Sequence, residues 1–309
     1  MSAKEPTTLE MSENRSWLSI HSLLADDANA SIAVVGLPLV RESITPGRCD
    51  LAPGAVRNAL RRFSVYDLET ETDLSGLRVF DTGDLPIAAL TPEEAFDPIT
   101  KSVRTLCANH ALTVLLGGNN AITRPGAHGV HADLKRVGLL TLDAHFDLRD
   151  TDGGLNNGNP IQALLEDGFP GVHISQIGLA PFANTKKAHE KARAAGISVC
   201  TLSECFARGF VAVVREELDR LAHSCEHIYV DFDIDVIERA EMPAAPGARP
   251  GGISARDFFA AVRVIAAHPK VKCVDLAEFD PGTDVNATGA LTAGRWFAEI
   301  LAGFTARTK

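Results

Sequence analysis

The sequence predicts a single α/β domain whose parallel sheet is covered by helices on both faces. Three observations carry that expectation. Eight short apolar runs, rich in β-branched residues, alternate with amphipathic stretches along the 309 residues. The runs are apolar nearly throughout, as strands buried on both faces require. No shift in composition divides the chain, so residues 16–309 read as one domain.

In order, the runs are SIAVVGLPL (31–39), LRVFDTG (77–83), ALTVLLGG (111–118) and VGLLTLD (137–143). VHISQIGL (172–179), ISVCTL (197–202), HIYVDFDID (227–235) and VKCVDLAEF (271–279) follow. Between them lie helix-like segments such as PGAVRNALRRF, PEEAFDPITKSVRTLCANH and ARDFFAAVRVIAAH. Thr123-Arg124-Pro125 marks a helix start, because proline suits a first turn where its missing N–H is not needed. Ser254 is positioned to cap a helix over 255–267.

Composition excludes several classes. Forty acidic residues against thirty basic ones give a net charge of −10, which opposes binding to nucleic acid or to an anionic membrane. Six cysteines stand without CxxC spacing, which reads as reduced thiols in a cytoplasmic protein. The first 15 residues are polar, without the apolar core of a signal peptide, and read as a flexible tail. No run of 18 apolar residues is present.

In a parallel sheet, ligands gather at the carboxyl ends of the strands. There the run LLTLDAHFDLRD ends on Asp143, His145 and Asp147, at every second position. Such residues share one face if the strand continues through them. The run IYVDFDIDV repeats the pattern with Asp231, Asp233 and Asp235. Acids crowded at one sheet mouth stay ionised together only if cations neutralise them; otherwise some take up protons. Oxygen donors with one imidazole suit Mn²⁺ better than a structural zinc site. A lone DxD is commonly a turn or a cap, and it is the pair of such motifs that points to metal.

These residues resemble the ureohydrolases: arginases, agmatinases and formimidoylglutamases. The resemblance runs through GRCDLAPGAVR (47–57), DTGDLP (81–86), LGGNNAIT (116–123), DAHFD (143–147), DFDIDVIERAEMP (231–243) and DLAEFDP (275–281). It implies an arginase-like three-layer α/β/α sandwich around a mainly parallel eight-stranded sheet. It also implies two Mn²⁺ per chain, held by Asp143, His145, Asp147, Asp233 and Asp235. Asp231 then becomes a hydrogen-bonding group behind the ligands. Asn120 departs from the pattern, standing where the family carries a histidine ligand; a neutral amide is the weaker donor, which leaves one Mn²⁺ as the alternative count. His128, two helical turns on, reads as an ordinary helix histidine.

Among ureohydrolases, three local features resemble formimidoylglutamases. DAHFDLR brings Arg149, whose guanidinium would pair bidentately with a substrate carboxylate; the plain alternative is a surface arginine paired with Asp150. DGGLNNGNPIQALLEDG (152–168) carries Asn157 where arginases and agmatinases place a catalytic histidine. IGLAPFANTKK (177–187) offers Asn184, as a substrate contact or as the cap of the following helix. The resemblance therefore implies hydrolysis of N-formimidoyl-L-glutamate to L-glutamate and formamide, a step of histidine catabolism. Glu278 would grip the cationic C–N group and Asp147 would carry a proton to the leaving amine. Rival expectations are an agmatinase- or arginase-type guanidino hydrolase, and a catalytically weak homologue with a structural or regulatory role. The expected partner is a small amidine or guanidino molecule, with a homo-oligomer as the candidate assembly.

Overall fold

The eight predicted runs all become strands. The structure, a computed structural model, describes residues 17–308, so the proposed N-terminal tail lies outside the described residues. The strands are β1 (Leu24–Ala25), β2 (Ile32–Leu37), β3 (Tyr66–Asp67), β4 (Thr72–Asp73), β5 (Val79–Asp84), β6 (Leu112–Gly117), β7 (Val137–Leu142), β8 (Ile174–Leu179), β9 (Ser198–Thr201), β10 (His227–Asp233) and β11 (Val271–Ala277). All but β3 and β4, which form a small hairpin, join one nine-stranded sheet in the order β1-β5-β2-β6-β11-β10-β7-β8-β9. Every pairing in it is parallel. The strand beyond the expected eight is the two-residue β1 at the edge, too short to leave an apolar signature in the sequence.

The helices are α1 (Ala52–Ala59), α2 (Pro92–Asn109), α3 (Thr123–Val130), α4 (Pro160–Glu166), α5 (Lys186–Ala195), α6 (Leu202–Arg208), α7 (Phe210–Ser224), α8 (Ala255–Ala267) and α9 (Thr288–Thr305). They split between two hydrophobic cores, one on each face of the sheet. Ile32 and Val34 of β2 join α1, α6, α7, α8 and α9 in one core. Ala33, Val35 and Leu37 of the same strand join α2, α3, α4 and α5 in the other. Side-chain alternation along a strand makes that division, so both faces of each strand must be apolar. The result is the three-layer sandwich. Pro125 lies in the first turn of α3, and Ser254 caps α8 by accepting the Asp257 N–H at 3.1 Å.

Two stretches of the resemblance meet as structure. Arg57 forks onto Asp81 through two 2.8 Å hydrogen bonds and also reaches Asp84, tying α1 to the end of β5. Such bidentate pairs fix geometry as well as charge.

The sheet order also creates a crevice. The chain leaves β6, passes through α3 and enters β7, yet β11 and β10 stand between those two strands. At such a switch in strand order the following loops part and leave room for a ligand. The segments after β6, β11, β10 and β7 carry Asn120, Glu278, Asp235 and Asp143.

Candidate metal centre and active site

The acid-rich segments do not continue as strands. β7 stops at Leu142, and Asp143 accepts the His145 backbone N–H at 2.6 Å, a tight local turn. Asp147 then takes a left-handed backbone, φ +51°. β10 stops at Asp233, whose side chain accepts the Asp235 N–H at 2.9 Å and opens a single 3₁₀ turn. The expectation that each triplet shares one strand face is therefore corrected. Aspartate bonds its own backbone two residues on, in competition with the sheet ladder, and each turn re-aims the following side chain.

That folding brings Asp143, His145 and Asp235 together. Each offers one ligand atom, and all three atoms lie within 4.8 Å of one another. His145 Nδ1 is 2.9 Å from Asp235 Oδ2 and 3.5 Å from Asp143 Oδ1. The Ala144 N–H donates to the other Asp235 oxygen at 3.2 Å. Asp147 and Asp233 line the same cavity without belonging to that three-atom group. The cavity holds about 650 Å³.

Asn120 begins the turn after β6 and uses both ends of its amide. Its NH₂ donates to Asp147 Oδ2 at 2.6 Å, and its oxygen accepts the Thr123 hydroxyl at 2.8 Å. The reverse orientation would set an amide oxygen against a carboxylate oxygen, acceptor on acceptor. Asn120 thus supplies Asp147 with a hydrogen-bond donor. Its backbone N–H donates to Glu278 Oε1 at 2.7 Å, and Asn157 adds a second donor there at 3.0 Å. Glu278 also has a left-handed backbone, φ +62°. Non-glycine residues in that region store backbone strain that the surrounding contacts must hold.

Electrostatics explain why these groups suit a cation. Burial pushes Asp143 well above the usual carboxylate range, and repulsion from Asp147 adds to it. Asp233 is raised likewise, by burial and then by Asp235. Burial lifts Asp147 and Glu278 to about 7, against the pull of His145 and Asn120 on Asp147 and of Asn157 and the Asn120 N–H on Glu278. His145 moves the other way in consequence. Burial opposes its charge, but Asp235 and Asp143 outweigh burial and raise the imidazole to about 11. The Asp235 carboxylate, disfavoured by burial, is held below its ordinary value by that imidazolium. A proton on His145 therefore plays the part of a countercharge, and the donor set fits a divalent cation that would replace it.

A measurable consequence follows. A ring nitrogen of His145 must shed its proton to bind metal, so Mn²⁺ binding releases protons at any pH below about 11. Affinity is expected to rise with pH from 6 to 9, by up to about tenfold per unit for each proton displaced. Calorimetry in buffers of different ionisation enthalpy reads the count directly; a binding heat independent of buffer would contradict it.

Asp231 does not line the cavity. It is wholly buried, opposite Asp275 on β11 and Thr141 on β7, and burial and Asp275 raise it far above the usual carboxylate range. Tyr229 donates its hydroxyl to Asp275 in the same layer. His128 pairs with Asp167 at 2.8 Å and lies edge-on to Phe96, away from the cluster.

Arg149 lines the cavity, and its side chain makes no ion pair among the described residues. Asp150, the partner a surface arginine would use, is held instead by Lys187 and by Lys191 at 2.9 Å. Asn157 lines the cavity as well and accepts the Ile44 N–H at 2.9 Å, tying the 40–47 loop to the site. Asn184 braces the segment after β7, accepting the Phe146 N–H at 2.8 Å and donating to the Ala144 carbonyl at 2.9 Å. The cap of α5 is its neighbour Thr185, because Asn184 is committed to that loop.

Sequence reasoning passed over Gly247 and Arg249, which lie in the loop after β10 and line the cavity. The signal was the Pro/Gly-rich PGARPGG (246–252) in the connection that follows an acid-bearing strand, a loop at the ligand-binding edge of the sheet.

An acid–imidazole cluster that could hold a metal ion, in a cleft at the carboxyl edge of a doubly covered parallel sheet, makes this an α/β protein with a candidate metal centre. The sequence profile of the arginase family matches residues 30–303, and the chain belongs to that family. It is 30% identical over 274 residues to a formimidoylglutamase of Halalkalibacterium halodurans, covering 87% of this chain and 86% of the relative. The crystal structure of Bacillus subtilis formimidoylglutamase superposes with a TM-score of 0.90 at 25% identity, covering 97% and 95% of the two chains. A Trypanosoma cruzi formiminoglutamase solved with Mn²⁺ gives 0.87 at 26% identity, covering 94% and 99%. The protein is thus an arginase-family hydrolase of linear amidines or guanidines. No helix among the described residues is long and apolar enough to cross a membrane.

Proposed function

We propose that this protein hydrolyses N-formimidoyl-L-glutamate to L-glutamate and formamide. The observation that carries the reading is Arg149, a guanidinium in the cavity whose sequence neighbour Asp150 is already engaged by two lysines. An unpaired fork of donors beside an anionic floor selects a substrate with a carboxylate at one end and a cation at the other. A diamine such as agmatine would set its free ammonium against Arg149. Asn157, bonded to Glu278 and to the Ile44 N–H, has no proton to give a strongly basic leaving amine.

Asp143, His145 and Asp235 would hold Mn²⁺, with Asp147 and Asp233 completing a two-ion centre and Asn120 supporting Asp147 through its amide. Bound Mn²⁺ supplies a water of lowered pKa as the nucleophile. Glu278, steadied by two hydrogen bonds, grips the amidinium and holds its carbon toward the attacking oxygen. Water adds to that carbon, the bond to the glutamate nitrogen breaks, and the nitrogen leaves with a proton. Asp147 relays that proton from the attacking water to the departing nitrogen. The compartment proposed is the cytoplasm, supported by six cysteines that are all buried free thiols.

The test combines metal analysis of protein purified with Mn²⁺ and an assay of formamide and urea release. Two Mn²⁺ per chain and formamide from N-formimidoyl-L-glutamate are expected, with Arg149→Ala raising KM at least tenfold and changing kcat little. Urea release from agmatine or arginine, or no bound Mn²⁺ and no turnover, would overturn the reading in favour of a rival substrate or a non-catalytic role.

A further inference from the structure

We propose that Arg249 is a second specificity-determining residue, which takes a second carboxylate and so restricts the site to amidines of amino dicarboxylic acids. The inference deepens the reading above and rests on it. Two of the loops that line the cavity carry an arginine, Arg149 after β7 and Arg249 after β10. Neither arginine has a carboxylate partner among the described residues, whereas Lys187, also on the wall, is paired with Asp150. The floor is the reverse, with Asp147, Asp233, Asp235 and Glu278 all lining it. The cavity therefore has an anionic bottom and two uncompensated guanidiniums.

Arg249 is held in place by its own loop. Its Nη1 donates to the Gly247 carbonyl at 2.6 Å and lies 3.3 Å from the Ala248 carbonyl, which leaves Nε and Nη2 without a protein acceptor. Arg239 clamps the same loop by donating to the carbonyls of Ala245 and Pro246 at 3.0 and 3.3 Å, and its backbone N–H donates to the Arg249 carbonyl at 3.3 Å. Glu238 accepts the Gly251 N–H just beyond. A donor pre-positioned in this way loses little freedom when an anion arrives.

One guanidinium accommodates one carboxylate through its fork. A substrate with a single carboxylate would leave Arg249 idle, and one with two would leave an anion unmatched if Arg149 acted alone. At about 650 Å³ the cavity falls within the range of sites that enclose a whole small molecule, so both ends of an amino dicarboxylate can be read at once.

The test compares Arg249→Gln with the parent protein on two isosteric amidines, N-formimidoyl-L-glutamate and N-formimidoyl-L-glutamine, with Mn²⁺ present. The parent is expected to favour the glutamyl compound at least tenfold in kcat/KM, and Arg249→Gln to reduce that ratio at least tenfold. A second arm measures L-glutamate and L-glutamine binding to the Mn²⁺-loaded protein by calorimetry, with no turnover required. Selective loss of L-glutamate affinity in the variant supports Arg249 even if neither amidine is hydrolysed, an outcome that sinks only the proposed reaction. An unchanged ratio together with unchanged L-glutamate affinity overturns the role of Arg249 and leaves the reaction standing.

Discussion

Replacing Gly247 with alanine is expected to lower Mn²⁺ affinity and turnover at least 10²-fold in a protein that still folds. A Cβ there would fall inside contact distance of Asp235 Oδ2, 3.0 Å from its Cγ and 3.1 Å from His145 Cε1. The two groups it would strike are bonded to each other at 2.9 Å, so neither can yield without taking the other along. The loop cannot retreat freely either, since Arg239 donates to carbonyls on both sides of the glycine. The displaced atoms belong to the group that could hold a metal ion. A shift of about 1 Å in such a group is enough to cost two orders of magnitude in rate, and overpacking of a tight site destabilises by about 1–3 kcal/mol. Manganese titration and thermal melting of the metal-free protein separate these effects. Gly54→Ala is the control: it is exposed in α1 with nothing within 4 Å of its added carbon. Alanine there should raise stability by about 0.5 kcal/mol or leave it unchanged. Wild-type manganese affinity in Gly247→Ala would show that the ligand geometry tolerates what the packing forbids.

Asp235→Asn is expected to reduce Mn²⁺ affinity by more than 10²-fold and activity by more than 10³-fold. The amide keeps the shape of the side chain, so the loss reads the charge. Asp235 is also the largest cause raising His145, so in the metal-free variant that imidazole should fall from about 11 toward its ordinary range. A histidine raised in the folded protein stabilises it fully below its unfolded value near 6.5, and that contribution is lost as pH rises through about 11. The variant should forfeit most of it, so its deficit against the parent is largest near pH 6 and shrinks in strong alkali. Titration of the His145 ring protons by NMR in metal-free protein provides the check. A His145 pKa still near 11 in the variant would mean that Asp143 alone holds the proton.

Much of the fold was legible because it rests on local chemistry. Runs such as LTVLLG and VGLLTL are apolar on both faces, which only a doubly covered strand tolerates. Ser254 and Pro125 mark helix starts through bonds made or lost within one turn. Asp143, His145 and Asp235 were legible as a group through their motifs, and the structure gathers them.

The strands, the helices between them and the acids that gather at one edge follow from the residue order, because burial and capping act on neighbours in the chain. Which way those acids turn was decided only in three dimensions: Asp147 and Glu278 hold left-handed backbones that no local preference demands. Asn120 was legible as an odd residue at a ligand position, yet its pairing with Asp147 and Thr123 appears only once α3 folds beside the turn. The pairing of Asp150 with the lysines of α5, which leaves Arg149 free, joins residues 37 and 41 positions apart. Gly247 and Arg249 line the site only because the loop after β10 packs beside it. Such contacts depend on distances across the sheet, and those are set by the packing of both cores together rather than by any single stretch of chain.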